Sequence, residues 1–301
     1  MHRLPGETGA GFAVEPFPEE SAFSSETEPA DIGPRQPSGG APLRRPFQFS
    51  ASPLNSWLRS GLDGLAAVLF AARCRLCEEL LTQASRVPVC PACLGRVRPL
   101  ELVAFCDRCQ RPLASAIGAT EPALCGTCRM EENDFDRLRS FGAYDAELRA
   151  LIVLLKYSGV RPLARPLGSW LALAAQQCPA LLEVDAVVPV PLYPARQRAR
   201  GFNQAELLAR EFSRWVKLPA GAGWLARTKD TPSQAGLTPL QRVENVRGAF
   251  AATRKLDTCR ILLLDDVCTT GATLGACARA LKQAGAEQVS ALTVARVVRE
   301  I

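Results

Sequence analysis

ILLLDDVCTTGAT, residues 261–273, is the stretch whose reading decides the fold. Four apolar residues predict a buried strand, and Asp265 and Asp266 stand at its end. Thr269, Thr270, Gly271, Ala272 and Thr273 then turn the chain straight into a helix over 272–285. Glycine at 271 permits a positive φ or a close backbone approach. The N–H groups of such a turn, the threonine hydroxyls and the positive helix end together make an anion cradle. Paired carboxylates beside that cradle suit a sugar phosphate: the acids accept from vicinal ribose hydroxyls while the loop holds the 5′-phosphate. A plain strand–turn–helix connection capped by threonines leaves the two acids unexplained, because burying charge is costly.

Working outward, the same alternation continues on both sides. Strands are predicted over 139–145, 185–192, 223–228, 248–253, 259–267 and 287–298, and helices over 146–159, 161–177, 202–218 and 272–285, with Asn203 as a cap for the third. Continuous Val/Ile/Leu strands alternating with helices predict an α/β domain over 135–301, its parallel sheet covered on both faces. Ligands of such sheets bind at the carboxyl ends of the strands. The segment PLYPARQRARG, 191–201, follows one core strand. Spacing of two places Arg196, Arg198 and Arg200 on one side of an extended stretch, able to meet a diphosphate bidentately, with Gly201 letting the chain pass close. A solvated arginine stripe is the plainer reading of the same residues. Residues 229–242, KDTPSQAGLTPLQR, have the Gly, Pro and polar content of a lid.

Upstream lie four CxxC pairs: Cys74/Cys77, Cys90/Cys93, Cys106/Cys109 and Cys125/Cys128. Two intervening residues let both sulfurs reach one ion from a tight turn, and two such turns complete a tetrahedron. Eight cysteines therefore predict two structural zinc sites, a double zinc ribbon, with no open catalytic position. Sequential pairing of the knuckles is the expectation; an interleaved arrangement fits the spacing nearly as well. A disulfide framework suits badly a chain with no export signal, and four regular copies argue against a redox motif. Cys178, Cys259, Cys268 and Cys277 read as small buried hydrophobes.

Composition narrows the chemistry further. The chain of 301 residues has one histidine, His2, which excludes histidine-based nucleophile activation and proton relays. Its formal charge of +6 is uneven: residues 1–50 carry four arginines and seven acids, whereas 129–301 hold 24 basic and 17 acidic residues. Residues 74–128 hold six arginines and five acids, and two Zn(Cys)₄ units, each of formal charge about −2, turn that segment negative. Nucleic-acid binding by the ribbons is thereby weakened as a reading. Eight of the 23 prolines fall in residues 1–50, which read as a disordered tail. Residues 51–130 then comprise an amphipathic helix, with Trp57, Leu58, Leu62, Leu65, Val68 and Leu69 on one face, followed by the ribbons. That helix reads as packed on its own domain rather than on a partner or membrane surface. With no apolar run long enough to span a bilayer, the expectation is a cytoplasmic protein without stable membrane insertion.

Residues 261–273 resemble the motif by which type I phosphoribosyltransferases bind 5-phosphoribosyl 1-diphosphate (PRPP). Together with PVPLYPARQRARGFNQAELLA (189–209), SQAGLTPLQRVENVRGAF (233–250) and the upstream CxxC pairs, the chain resembles the ComF family over about residues 57–301. The resemblance implies a PRPP-binding phosphoribosyltransferase-like domain behind a zinc-ribbon domain, with Mg²⁺ accompanying PRPP, and a link to DNA uptake in natural transformation. It matches Asp265 and Asp266 to the ribose-binding acids, residues 269–273 to the 5′-phosphate loop, and 191–201 to the pyrophosphate loop. Arg198 and Arg200, with the two acids, would then be the catalytic set, acting on PRPP and an unidentified acceptor. Gln234, Arg242 and Asn245 look like residues of the family's hood, and Lys156 and Tyr157 match it without an evident role. Purine-salvage relatives carry an acid where Thr269 stands, so this chain is more similar to the amido- and orotate-type enzymes. The other function the resemblance allows is a non-catalytic adaptor that binds single-stranded DNA or competence-machinery proteins and retains a PRPP pocket.

Overall fold

The computed structural model describes residues 72–81, 85–101, 104–113, 123–130, 134–232 and 236–298, all within one compact unit spanning Gly64–Ile301. The expected tail over 1–50 and the amphipathic helix from Trp57 to Leu69 lie outside them. Among the described residues, no helix is long and apolar enough to cross a membrane.

Two single-turn helices, α1 (Pro91–Leu94) and α2 (Gly126–Arg129), belong to the cysteine-rich segment. The alternating region then runs β1 (Arg137–Ala143), α3 (Ala146–Tyr157), α4 (Ala164–Gln176), β2 (Ala186–Pro189), α5 (Pro194–Arg200), α6 (Gln204–Val216), β3 (Leu225–Arg227), α7 (Pro239–Val246), β4 (Phe250–Ala252), β5 (Arg260–Cys268), α8 (Ala272–Gln283) and β6 (Gln288–Arg296). Strands β1, β6, β5 and β2 form a fully parallel sheet in that order, and β3 pairs antiparallel with β4 beside it. Asn203 caps α6 as expected, its side chain accepting from Ala205 N–H at 3.0 Å.

Strand alternation divides the core into two layers. Leu262 and Leu264 of β5 join α3, α4 and α6 through Leu151, Leu155, Leu167, Leu208 and Phe212. Ile261 and Leu263 face the other way, onto Leu274, Cys277, Ala278 and Leu281 of α8. Gly168 is what lets α4 lie against α6: a Cβ there would meet Glu211 Cβ at 2.6 Å.

One expected element differs. Residues 194–200 are helical, so Arg196, Arg198 and Arg200 do not line one side of an extended stretch. Pro194 in the first turn and Gly201 after the last, at φ 80°, are ordinary helix boundaries, a signal that outranks the every-second-residue spacing. Arg196 and Arg200 share a face, and Arg198 projects about 200° around the axis.

The cysteine-rich segment caps the free edge of β1. Leu138 N–H donates to Arg108 C=O at 2.7 Å, Ser140 N–H to Gln110 Oε1 at 2.6 Å, and Leu100 N–H to Phe141 C=O at 2.6 Å. Backbone groups that an edge strand would otherwise expose are thus satisfied.

Candidate functional site

Each cysteine cluster is built from sequential knuckles: Cys74, Cys77, Cys90 and Cys93 in one, Cys106, Cys109, Cys125 and Cys128 in the other, with the four sulfurs of each within 4.8 Å of one another. Sequential pairing is therefore the arrangement present, and the interleaved one is not. A tetrahedral ion with Zn–S bonds of about 2.3 Å spaces its sulfurs about 3.8 Å apart. Cys74 and Cys93 sulfurs are 3.8 Å apart, Cys77 and Cys90 3.7 Å, Cys109 and Cys125 3.7 Å. The donor set and spacing fit zinc. N–H groups of Leu76 and Cys90 point at Cys74 Sγ, at 3.5 and 3.3 Å, and Arg96 donates to Cys93 Sγ at 3.0 Å, contacts suited to thiolates. Against the cost of burial, backbone donors draw the Cys74 thiol down to about 6. Just after the first knuckle of each cluster, Glu78 and Gln110 take left-handed conformations, with φ 63° and 57°.

The acid pair lies in the last residues of β5. Strand β5 runs past both acids to Cys268, so they sit within its last residues rather than beyond it. Being adjacent, they project to opposite faces of the sheet. Asp265 follows Ile261 and Leu263 toward α8, and Asp266 follows Leu262 and Leu264 toward α3. There Lys156, the last-turn lysine of α3, pairs with Asp266 Oδ1 at 2.8 Å, and both groups are largely buried. Asp266 Oδ2 is buried with no protein partner among the described residues. Asp265 accepts from Asp266 N–H at 2.8 Å. Burial, and then the charge of Asp266, push the Asp265 carboxyl up to about 7, against the pull of Lys156. The same pair keeps the Lys156 ammonium above its ordinary range despite burial, chiefly through the charge of Asp266.

The loop after β5 turns directly into α8. Gly271, at φ 89°, occupies the N-cap position of α8, and Thr270 Oγ1 accepts from Ala272 N–H at 3.3 Å. Thr269, Thr270, Ala272 and Thr273 are partly exposed around it. The arginines of α5 differ from one another. Arg196 donates to Thr231 C=O and lies 3.4 Å from Asp230, tying α5 to the segment after β3. Arg200 donates to Gln204 and lies over the Tyr157 ring at 5.5 Å. Arg198 is exposed with no protein partner among the described residues. Gly201 C=O accepts from Arg161 at 3.1 Å.

In the hood segment, Gln234 lies outside the described residues. Arg242 donates to Leu237 C=O and Asn245 to Pro232 C=O, both at 3.1 Å, so these two hold the hood's own loop together. Helix α7 starts with a capping box between Thr238 and Gln241.

Two site residues carried no role in the sequence reading. Lys156 sits four positions after buried Ile152, on the apolar face of its helix. A lysine there signals a buried partner, but nothing local says which. Arg227, on β3, was not singled out; it donates to Thr231 Oγ1 at 2.6 Å, stacks on Phe250, and bears on Asp265 by charge.

Residues 198–299 match the family model described as phosphoribosyl transferase domain. Competence protein F of Haemophilus influenzae is 32% identical over 210 residues, covering 68% of this chain and 90% of that protein. DNA utilization protein YhgH of Salmonella typhimurium is 30% identical over 229 residues, 75% of this chain and 97% of the relative. Among solved structures, the glutamine PRPP amidotransferase from B. subtilis complexed with ADP and GMP matches at a TM-score of 0.30 and 25% identity, over 44% of this chain and 26% of that one. Aligned with its relatives across nearly their whole length, with the type I phosphoribosyltransferase fold behind two Cys₄ clusters, the chain belongs to the ComF family.

Proposed function

We propose that the carboxyl end of the parallel sheet binds PRPP and that the protein transfers its phosphoribosyl group to a nitrogen nucleophile, releasing pyrophosphate. The observation that carries this reading is the junction of β5 and α8. Two acids, one with a buried oxygen that has no partner among the described residues, precede a threonine-rich turn whose glycine opens a helix N-terminus. Residues 269–273 would hold the 5′-phosphate through N–H groups and hydroxyls. Asp265 and Asp266 would accept from the ribose hydroxyls, Asp266 being held in place by Lys156. Arg198, without a protein partner among the described residues, would meet the diphosphate, joined by Arg196 and Arg200 when the hood and Tyr157 release them; Gly201 ends that helix without a side chain in the way. Mg²⁺ would enter with the diphosphate and offset its charge. As the C1′–O bond lengthens, charge builds on the leaving pyrophosphate, and the arginines are worth more there than in the ground state.

Calorimetry of PRPP with Mg²⁺ against the wild type and the Asp265→Asn/Asp266→Asn variant tests the pocket. Binding to the wild type that is strongly weakened in the variant is the expected result; equal affinity would refute the assignment of the acids.

A second reading, an adaptor for single-stranded DNA, is favoured by a different observation: Arg200 lies over the ring of Tyr157, which is 75% exposed. Basic groups interleaved with aromatics suit unstacked bases. One variant, Arg196→Ala/Arg198→Ala/Arg200→Ala, separates the two. An enzyme loses about a hundredfold in turnover if the contacts gain about 3 kcal/mol in the transition state. An adaptor instead loses DNA affinity, with a flatter salt dependence.

A further inference from the structure

A second cavity, with neither acid in its lining, lies where the second cysteine cluster meets the carboxyl end of α4. Its volume is about 590 Å³, and Phe105, Gln110, Arg139, Ala174, Cys178 and an exposed carboxylate, Glu101, are among its walls. Pockets of roughly 300–1,000 Å³ suit small organic ligands.

Arg139, on β1, is the unusual wall. It is 91% buried by its 9% exposure, yet makes no ion pair among the described residues. One nitrogen, Nη1, donates to Leu138 C=O at 2.8 Å, and the guanidinium lies 5.5 Å from the Phe105 ring centre. A guanidinium has five N–H groups, and among the described residues Leu138 C=O is the hydrogen-bond acceptor given for this one. Asp107, whose charge it feels, accepts from Ala123 N–H at 2.7 Å instead. Gln110 spends its carbonyl on Ser140 N–H, and its amide N–H₂ has no acceptor among the described residues. Buried cations are ordinarily paired. Here a cation, an amide donor, an aromatic ring and an apolar floor converge on one volume that the PRPP reading does not use.

We propose that this cavity binds a small organic oxyanion, a phosphate monoester or carboxylate on a flat body, with Arg139 as its counter-charge. The anion would bridge Arg139 and the Gln110 amide, and the body would lie along Phe105 and Ala174.

Cys178 lines the cavity and is partly exposed, which provides a local reporter. The full chain is treated with iodoacetamide in the presence of AMP, benzoate or adenosine, and alkylation of Cys178 and of Cys259 is followed by peptide mass spectrometry. AMP or benzoate should slow alkylation of Cys178 at least about threefold, the occupancy reached at roughly twice Kd. Adenosine, which lacks the anion, should not, and Cys259, outside the cavity, should react unchanged. Protection should vanish in Arg139→Gln and also in Ala174→Phe, which fills the cavity while keeping the charge. It should persist in Asp265→Asn/Asp266→Asn, whose loss of PRPP binding is a separate result. The proposal is overturned if neither anion protects Cys178 at millimolar concentration. It is equally overturned if protection survives Ala174→Phe, or if it is lost with the two acids.

Discussion

The cysteine clusters and the acid site treat charge in opposite ways. In the clusters, sulfurs face one another at about the separation one ion demands, N–H groups and Arg96 point at them, and the cysteine segment hydrogen-bonds the edge of β1. At the acid site, Asp265 is held near neutrality by burial, and Asp266 Oδ2 and Arg227 Nε are two of the four buried side-chain atoms without partners among the described residues. The other two are Ser213 Oγ and Arg296 Nε. The difference is that each cluster turns its donors toward one point, whereas the acid site keeps buried polar atoms without a partner among the described residues, a pattern common at binding sites.

The largest test of that contrast is loss of a metal ligand. The protein should carry about two zinc ions, and structural zinc binds with an apparent ~10–16 kcal/mol, as much as a whole domain's stability. Cys109→Ser should therefore release one zinc and abolish cooperative melting, because its cluster is wholly buried and shares a core with Leu138 and β6. The first cluster has two half-exposed cysteines, Cys77 and Cys90, so a chelator should strip its zinc first. Metal analysis after stepwise chelation would break the comparison if both ions left together.

Next in size is the Lys156–Asp266 pair. Lys156→Met leaves a buried carboxylate alone and should cost about 3–5 kcal/mol in denaturant unfolding. Adding Asp266→Leu should recover most of it, since an apolar pair satisfies the same space. A loss that persists in the double variant would mean that Lys156 serves packing rather than charge.

The smallest effect has the opposite sign. Asp265 ordinarily titrates near 3.8 and here near 7. Between those values the folded chain keeps a proton that the unfolded chain has lost. Stability contributed by this group is thus present below pH ~4, falls as pH rises to ~7, and is flat above. Asp265→Asn should stabilise the protein at pH 8 by about 2 kcal/mol, less than the full linkage because the carboxyl still reaches solvent, with the gain shrinking toward pH 4. Thermal melts of both proteins across that range check the sign; a destabilised variant at pH 8 would place Asp265 with the structural groups.

Much of this was legible in the chain. CxxC spacing encodes a knuckle within four residues, and the period of β5 and α8, with Gly271 between them, is a local pattern. Helix α5 was legible too, from Pro194 and Gly201, but arginine spacing was read in their place. Which knuckles share an ion, which face each acid takes beside a strand that continues to Cys268, and the partner of Lys156 are matters of another kind. Lys156 and Asp266 are brought together by packing α3 on β5, and Arg139 meets Gln110 and Phe105 only because the cysteine segment closes over β1.

The sequence by itself therefore determined the α/β class, the four CxxC knuckles and the glycine turn between β5 and α8, since each rests on short-range periodicity, turn chemistry or spacing. Only the tertiary structure decided that the cysteine module seals the edge of the sheet, that the two acids divide between its faces, and that one buried arginine is left facing a cavity. Those depend on contacts between residues far apart in the chain, set by how the layers pack rather than by any local pattern.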